Sequence, residues 1–106
     1  MAMGRKVQQF STQRLLVLVQ GVAIARTLQM DLARHVGEET WHLIVSFDSL
    51  DRSMHQGKPL QLRAGGPETA KVRAHSKGLE VIALWLSVPP GVLSLRDMAW
   101  HPVEVK

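Results

Sequence analysis

The sequence predicts an α+β domain: one principal N-terminal helix packed on an antiparallel β-meander of four to six short strands. Three observations predict it. Between Leu15 and Val36 the apolar residues recur at spacings of three and four, which is one face of a helix. Beyond residue 40 the pattern changes to period two, the signature of strands. Short turn signals then separate the apolar segments, as in antiparallel hairpins.

Residues 1–10 are polar and read as an extended or frayed basic arm. Residues 12–36 read as the helix. Leu15, Leu18, Val22, Ala25, Leu28, Leu32 and Val36 form its stripe, Ser11 or Thr12 caps its start, and Gly37 ends it. A competing reading makes Leu15 to Val19 a strand, breaks the chain at Gly21, and starts a shorter helix at Val22. One long helix is preferred, because the stripe runs through both halves.

Trp41 to Asp48 reads as a strand with Trp41, Leu43, Val45 and Phe47 on one face. Residues 48–57 read as one or two helical turns capped by Asp48 or Ser49 and closed by Gly57. Leu60 to Ala64 is a short strand, and Gly65-Gly66-Pro67 a turn. Thr69 to Ser76 alternates, with Ala70, Val72 and Ala74 inward and Lys71, Arg73 and His75 outward. Lys77-Gly78 turns the chain into Leu79 to Val88, an apolar strand ended by Pro89-Pro90-Gly91. Val92 to Arg96 and an edge strand within 99–105 follow, since Pro102 is tolerated at an edge.

The 79–88 segment carries the most specific expectation. As a strand it is apolar on both faces, with Leu79, Val81, Ala83 and Trp85 on one and Ile82, Leu84, Leu86 and Val88 on the other. An antiparallel strand that merely covers a core alternates with polar residues. Something must cover the second face, either a helix of the same chain or a second copy of it, and the second copy is preferred. Trp85, Ile82, Leu84, Leu86 and Trp100 are the interface candidates, and a homo-oligomer, a dimer first, is the expected partner.

Length and composition bound the rest. A chain of 106 residues with 45% hydrophobic and 21% charged residues suits one compact domain, residues 1–106. The absence of cysteine removes disulfides, thiolate metal sites and cysteine catalysis, and fits a reducing compartment. All nine acids lie at or after Asp31, as do nine of the thirteen Lys and Arg, so the net charge of +4 is N-terminal. Arg5, Lys6 and Arg14 ahead of the Leu15–Ala25 run imitate a secretory leader. Gln20 and Gly21 interrupt that run, and it falls short of the ~20 apolar residues a span needs. The segment is expected to belong to the fold, with the protein cytoplasmic and not inserted in a membrane.

Candidate chemistry is sparse. Of the five histidines, His35 and His42 stand near Glu38 and Glu39, and His35, Glu39 and His42 are the only metal-ligand candidates, without the tight spacing such sites use. No nucleophile sits on a G-x-S-x-G turn. Ser46 with Asp48, Asp51, His42 and His55 offers the residue types of a triad but no supporting spacing. Gly65-Gly66-Pro67 lacks the glycine offsets of a phosphate loop. No cofactor is called for.

The sharpest surface feature is the alternating run Lys71, Arg73, His75 and Lys77, which a strand would align on one face beside Arg63. Such a stripe meets phosphates, although no aromatic accompanies it for base stacking. Three readings of function follow. The first is a non-enzymatic interaction module that self-associates. The second is a nucleic-acid binder using the basic arm and the 71–77 stripe. The third is a small-ligand pocket or enzyme between helix and sheet with a histidine at its mouth.

Overall fold

The computed structural model describes residues 6–49, 53–55 and 59–104. Among them are eight strands in one antiparallel sheet and one long helix. The strands are β1 (Val7–Ser11), β2 (Leu15–Val19), β3 (Val22–His35), β4 (Thr40–Ser49), β5 (Ser53–His55), β6 (Leu60–Arg63), β7 (Leu93–Leu95) and β8 (His101–Val103). The helix is α1 (Pro67–Leu86), and a single 3-10 turn (Pro90–Val92) precedes β7.

Register reduces the eight strands to five long rows. β1 pairs with the C-terminal half of β3 and β2 with its N-terminal half, so both lie along one partner. Between them Thr12 continues the ladder, its N–H donating to the Met30 carbonyl (3.0 Å) and its Oγ1 accepting the Met30 N–H (2.9 Å). β6 and β5 flank opposite ends of β4 in the same way. β8 and β7 flank β1 and β2. One end of the sheet therefore reads β8-β1-β3-β4-β6 and the other β7-β2-β3-β4-β5. The rows β1/β2, β3, β4 and β5/β6 form a meander, and α1 carries the chain back across one face to place β7 and β8 beside β2 and β1.

The helix is not N-terminal, and the 12–36 expectation is corrected. Leu15 to Val19 and Val22 to His35 form a hairpin. Gln20 and Gly21 turn the chain with φ of 51° and 81°, the positive pair that a two-residue hairpin turn needs. The helical spacing misled because Leu28 and Leu32 satisfy both periods. The deciding residue is Met30, fully buried between them on the same strand face. Leu18 falls on the opposite face, while Val22 and Val36 are 68% and 54% exposed.

The strands expected over 69–76 and 79–88 are one helix. Pro67 occupies the first turn, where its missing N–H costs nothing. Ala70, Ala74, Gly78 and Ile82 recur every fourth residue and are buried. Lys77-Gly78 is not a turn: Gly78 lies in mid-helix, and a Cβ there would run into Met30 Sδ. The glycine permits close approach of helix to sheet, and an isolated sequence reads it as a break. Nor is the 79–88 segment apolar on two sheet faces. Val81, Ile82 and Ala83 are buried, Leu79, Trp85 and Leu86 half-buried, and only Leu84 (80% exposed) points away. The reason first given for a second copy is thereby removed.

Elsewhere expectation and structure lie closer. β4 buries Trp41, Leu43, Val45 and Phe47. The helical turns expected over 48–57 meet a strand at Ser53–His55, and 50–52 and 56–58 lie outside the described residues. Within the basic arm, Val7 onward is β1, paired on both sides. Pro102 sits in outermost strand β8 as expected. Among the described residues no helix is long and apolar enough to cross a membrane.

The core lies between α1 and the inner sheet face, where Leu15, Val17, Leu28, Met30, Leu32 and the four β4 residues meet the helix. Trp85 stacks on Phe47, with ring centroids 5.6 Å apart.

Candidate functional site

The side of the sheet away from α1 is the surface the fold leaves open. The inner face takes the even residues of β3 and the odd residues of β4, because Leu28, Met30 and Leu32 stand opposite Phe47, Val45 and Leu43. The outer face takes the others. Its central rows read His101, Ser11, Asp31, Ile44 and then Val103, Gln9, Ala33, His42, Gln61. Gln29 stands opposite Ser46, and Leu16 opposite Thr27.

Charge is scarce on this face. Among the described residues its charged positions are Asp31 at the centre, Asp48 opposite Thr27, and Arg63 at the β6 rim. The helix is different: Glu68, Lys71, Arg73, Lys77 and Glu80 are spread around the sides of α1 away from its buried stripe, with Glu68 to Lys71 at 3.2 Å and Lys77 to Glu80 at 3.4 Å. Ile44, Leu16 and Val103 on the outer sheet face are 41%, 37% and 38% exposed. Depletion of charge with retained aliphatic side chains is the composition of interface cores.

The residues singled out from sequence are dispersed. Helical geometry turns successive alternate residues about 200° apart, so Lys71, Arg73, His75 and Lys77 do not share a face. Lys71 Nζ lies 4.2 Å from the Phe10 ring centroid and 3.2 Å from Glu68 Oε1. His75 is half-buried and Arg73 exposed. Lys77 pairs with Glu80, and Arg63 with Glu39 at 3.3 Å. The aligned basic stripe is therefore corrected: three of its five residues already face carboxylates.

Of the metal candidates, His42 stands opposite Ala33 and His35 lies two residues along the same face, while Glu39 reaches Arg63. Among the described residues no three of His, Cys, Asp and Glu are grouped to hold a metal ion. Of the interface candidates, Ile82 is buried in the protein's own core, and Trp85, Leu86 and Trp100 pack against that core. Leu84 alone is exposed, lining a shallow apolar hollow with Val88 and Pro90 at the end of α1.

Of the residues weighed for a triad, the register pairs Ser46 directly with His55 and places Asp48 two residues along β4 on the same face, while His42 stands about 13 Å from Ser46 and Asp51 lies outside the described residues. The row His101, Ser11, Asp31 likewise brings three suitable residue types onto neighbouring strands, a grouping not read from the sequence. Its order is wrong for a triad, because the imidazole must stand between carboxylate and hydroxyl. Here the serine stands between them, with its Oγ donating to the Thr12 carbonyl (3.2 Å).

No protein-family model, curated protein or solved structure matches the chain.

Proposed function

We propose that this protein is a non-enzymatic interaction module that works through the outer face of its sheet and takes a second copy of itself as partner. The observation that carries the reading is the charge-poor outer face, uncovered by any described part of the chain.

Area supports the choice of partner. Five strands abreast at about 4.8 Å, and fourteen residues of β3 at about 3.3 Å each, make a flat face of roughly 1,000 Å². A standard interface takes about 800 Å² from each partner. Two such faces stacked about a twofold axis satisfy both copies at once, because the same patch serves each side. Sheet-on-sheet stacking at about 10 Å suits small and medium side chains such as Ser11, Thr27, Ala33 and Ile44.

The absence of cysteine in the chain makes the test clean. Gln29→Cys, at the centre of the outer face, is expected to give a disulfide-linked dimer under mild oxidation, while Ser76→Cys on the exposed side of α1 stays monomeric. Equal cross-linking at both positions, or at neither, would contradict the reading.

A further inference from the structure

We infer that a second site, at the β1–β8 corner of the sheet, binds a small molecule carrying a carboxylate or phosphate on an apolar body. At the end of the sheet where β1 lies beside β8, α1 packs chiefly on β4 and β6 and reaches β1 through Lys71 over Phe10. A cleft of about 590 Å³ opens there, lined by Lys6, Gln8, Phe10, Arg34 and Pro102 and bounded by Gln9 and Val103 of the outer face. That volume lies within the range of small-ligand sites, about 300–1,000 Å³.

Arg34 is the anchor. Its Nε donates to Gln8 Oε1 (3.0 Å), its Nη1 donates to the Glu38 carbonyl (3.1 Å), and its guanidinium lies 4.4 Å from the Trp41 ring centroid. Three groups thus fix the plane of the side chain, and all three contacts are to uncharged atoms. They hold the guanidinium in place through neutral acceptors and an aromatic face. Guanidinium has five N–H donors, and these two bonds leave donors for a ligand. An oxyanion is the complement of a held, planar, half-buried fork.

The walls set the rest of the ligand. Lys6 is exposed at the lip and adds a second positive charge. Lys71 borders the site over Phe10, but Glu68 already holds its ammonium, so the anion is read by Arg34 and Lys6. Phe10, Val36 and Pro102 offer hydrocarbon beside the cations. A bare ion would leave that surface wet, whereas an aryl or alkyl acid would cover it. A nucleobase finds no stacking platform here, because Trp41 is fully buried and the Phe10 ring faces Lys71.

The test is a titration of the full chain followed by amide chemical shifts, with phenyl phosphate, benzoate, inorganic phosphate and benzyl alcohol as probes. Phenyl phosphate and benzoate are expected to give saturable shifts at Gln8, Phe10 and Arg34, and benzyl alcohol none. The stronger of the two acids identifies whether phosphate or carboxylate is preferred. Inorganic phosphate is expected to bind at least about tenfold more weakly than phenyl phosphate, for want of the apolar contact. Lys6→Glu, which touches no core residue, is expected to weaken binding about tenfold or more, and Arg34→Gln to abolish it. If Arg34→Gln fails to fold, Lys6→Glu decides alone. Unsaturable shifts with every acid, equal shifts with benzyl alcohol, or wild-type titration of Lys6→Glu would each overturn the site.

Discussion

Gly78 of α1 rests on the side chain of Met30 at the centre of β3, so closely that a Cβ on the glycine would meet the sulfur. This contact sets the height of the helix above the sheet. Met30 is fully buried, and its Sδ has no vacant space to retreat into without moving its neighbours. Gly78→Leu is expected to destabilise the protein by about 3 kcal/mol through overpacking. Gly78→Ala should cost less, because better helix propensity offsets about 1 kcal/mol of the clash. Urea unfolding of the two variants checks the order.

The hairpin at Gln20-Gly21 makes a prediction whose sign separates it from a helix. Gly21 has φ of 81° and open space around the position of a Cβ. Gly21→Ala is therefore expected to lose about 1 kcal/mol through backbone strain alone. In the interior of a helix the same change would gain about 1 kcal/mol. Gln20→Gly, at φ 51°, should be neutral or stabilising. Thermal unfolding of both variants reads the two signs directly.

At the other end of the helix, Ser87 closes α1 in the left-handed region, with φ 57° and ψ 45°. A serine there bears a steric cost that glycine does not. Ser87→Gly is expected to raise stability by about 0.5–1 kcal/mol, seen as a higher midpoint in urea with an unchanged slope.

Trp85 is half-buried and stacked on Phe47 with an interplanar angle of 20°. Trp85→Ala should cost about 2–3 kcal/mol, less than a fully buried tryptophan, through lost area and a partial cavity. The loss is expected in the monomer itself, since this ring belongs to the protein's own core. A variant that kept full stability would show that the stack contributes nothing.

How much of this was legible in the sequence differs by element. Trp41, Leu43, Val45 and Phe47 announced β4 because large residues alternate with His42, Ile44 and Ser46, and no helix places them together. The class of one helix against an antiparallel sheet was also readable. The location of the helix was not. Leu15 to Val36 satisfies a helical stripe only if Met30 is ignored, and 67–86 looks like two strands only if Gly78 is taken as a turn. Both errors share a cause: the glycine and the methionine meet across the layers, and such a contact has no trace in either local pattern. For the outer face the missing information was register. Ser11, Asp31 and His101 lie far apart in the chain and become neighbours through β1, β3 and β8. Arg34 lies within the segment read as helix, and its place on Trp41 follows from strand parity.

The most direct measurement of the central claim is sedimentation equilibrium of the wild-type chain beside Ile44→Lys. Ile44 sits on the outer face, 41% exposed, so the substitution should shift monomer stability by no more than about 0.5 kcal/mol. The account predicts a wild-type mass near twice 11.8 kDa at micromolar concentration and a single-chain mass for the lysine variant. A wild-type chain that sediments as a monomer at every concentration, or a lysine variant that dimerises as strongly as wild type, would contradict it.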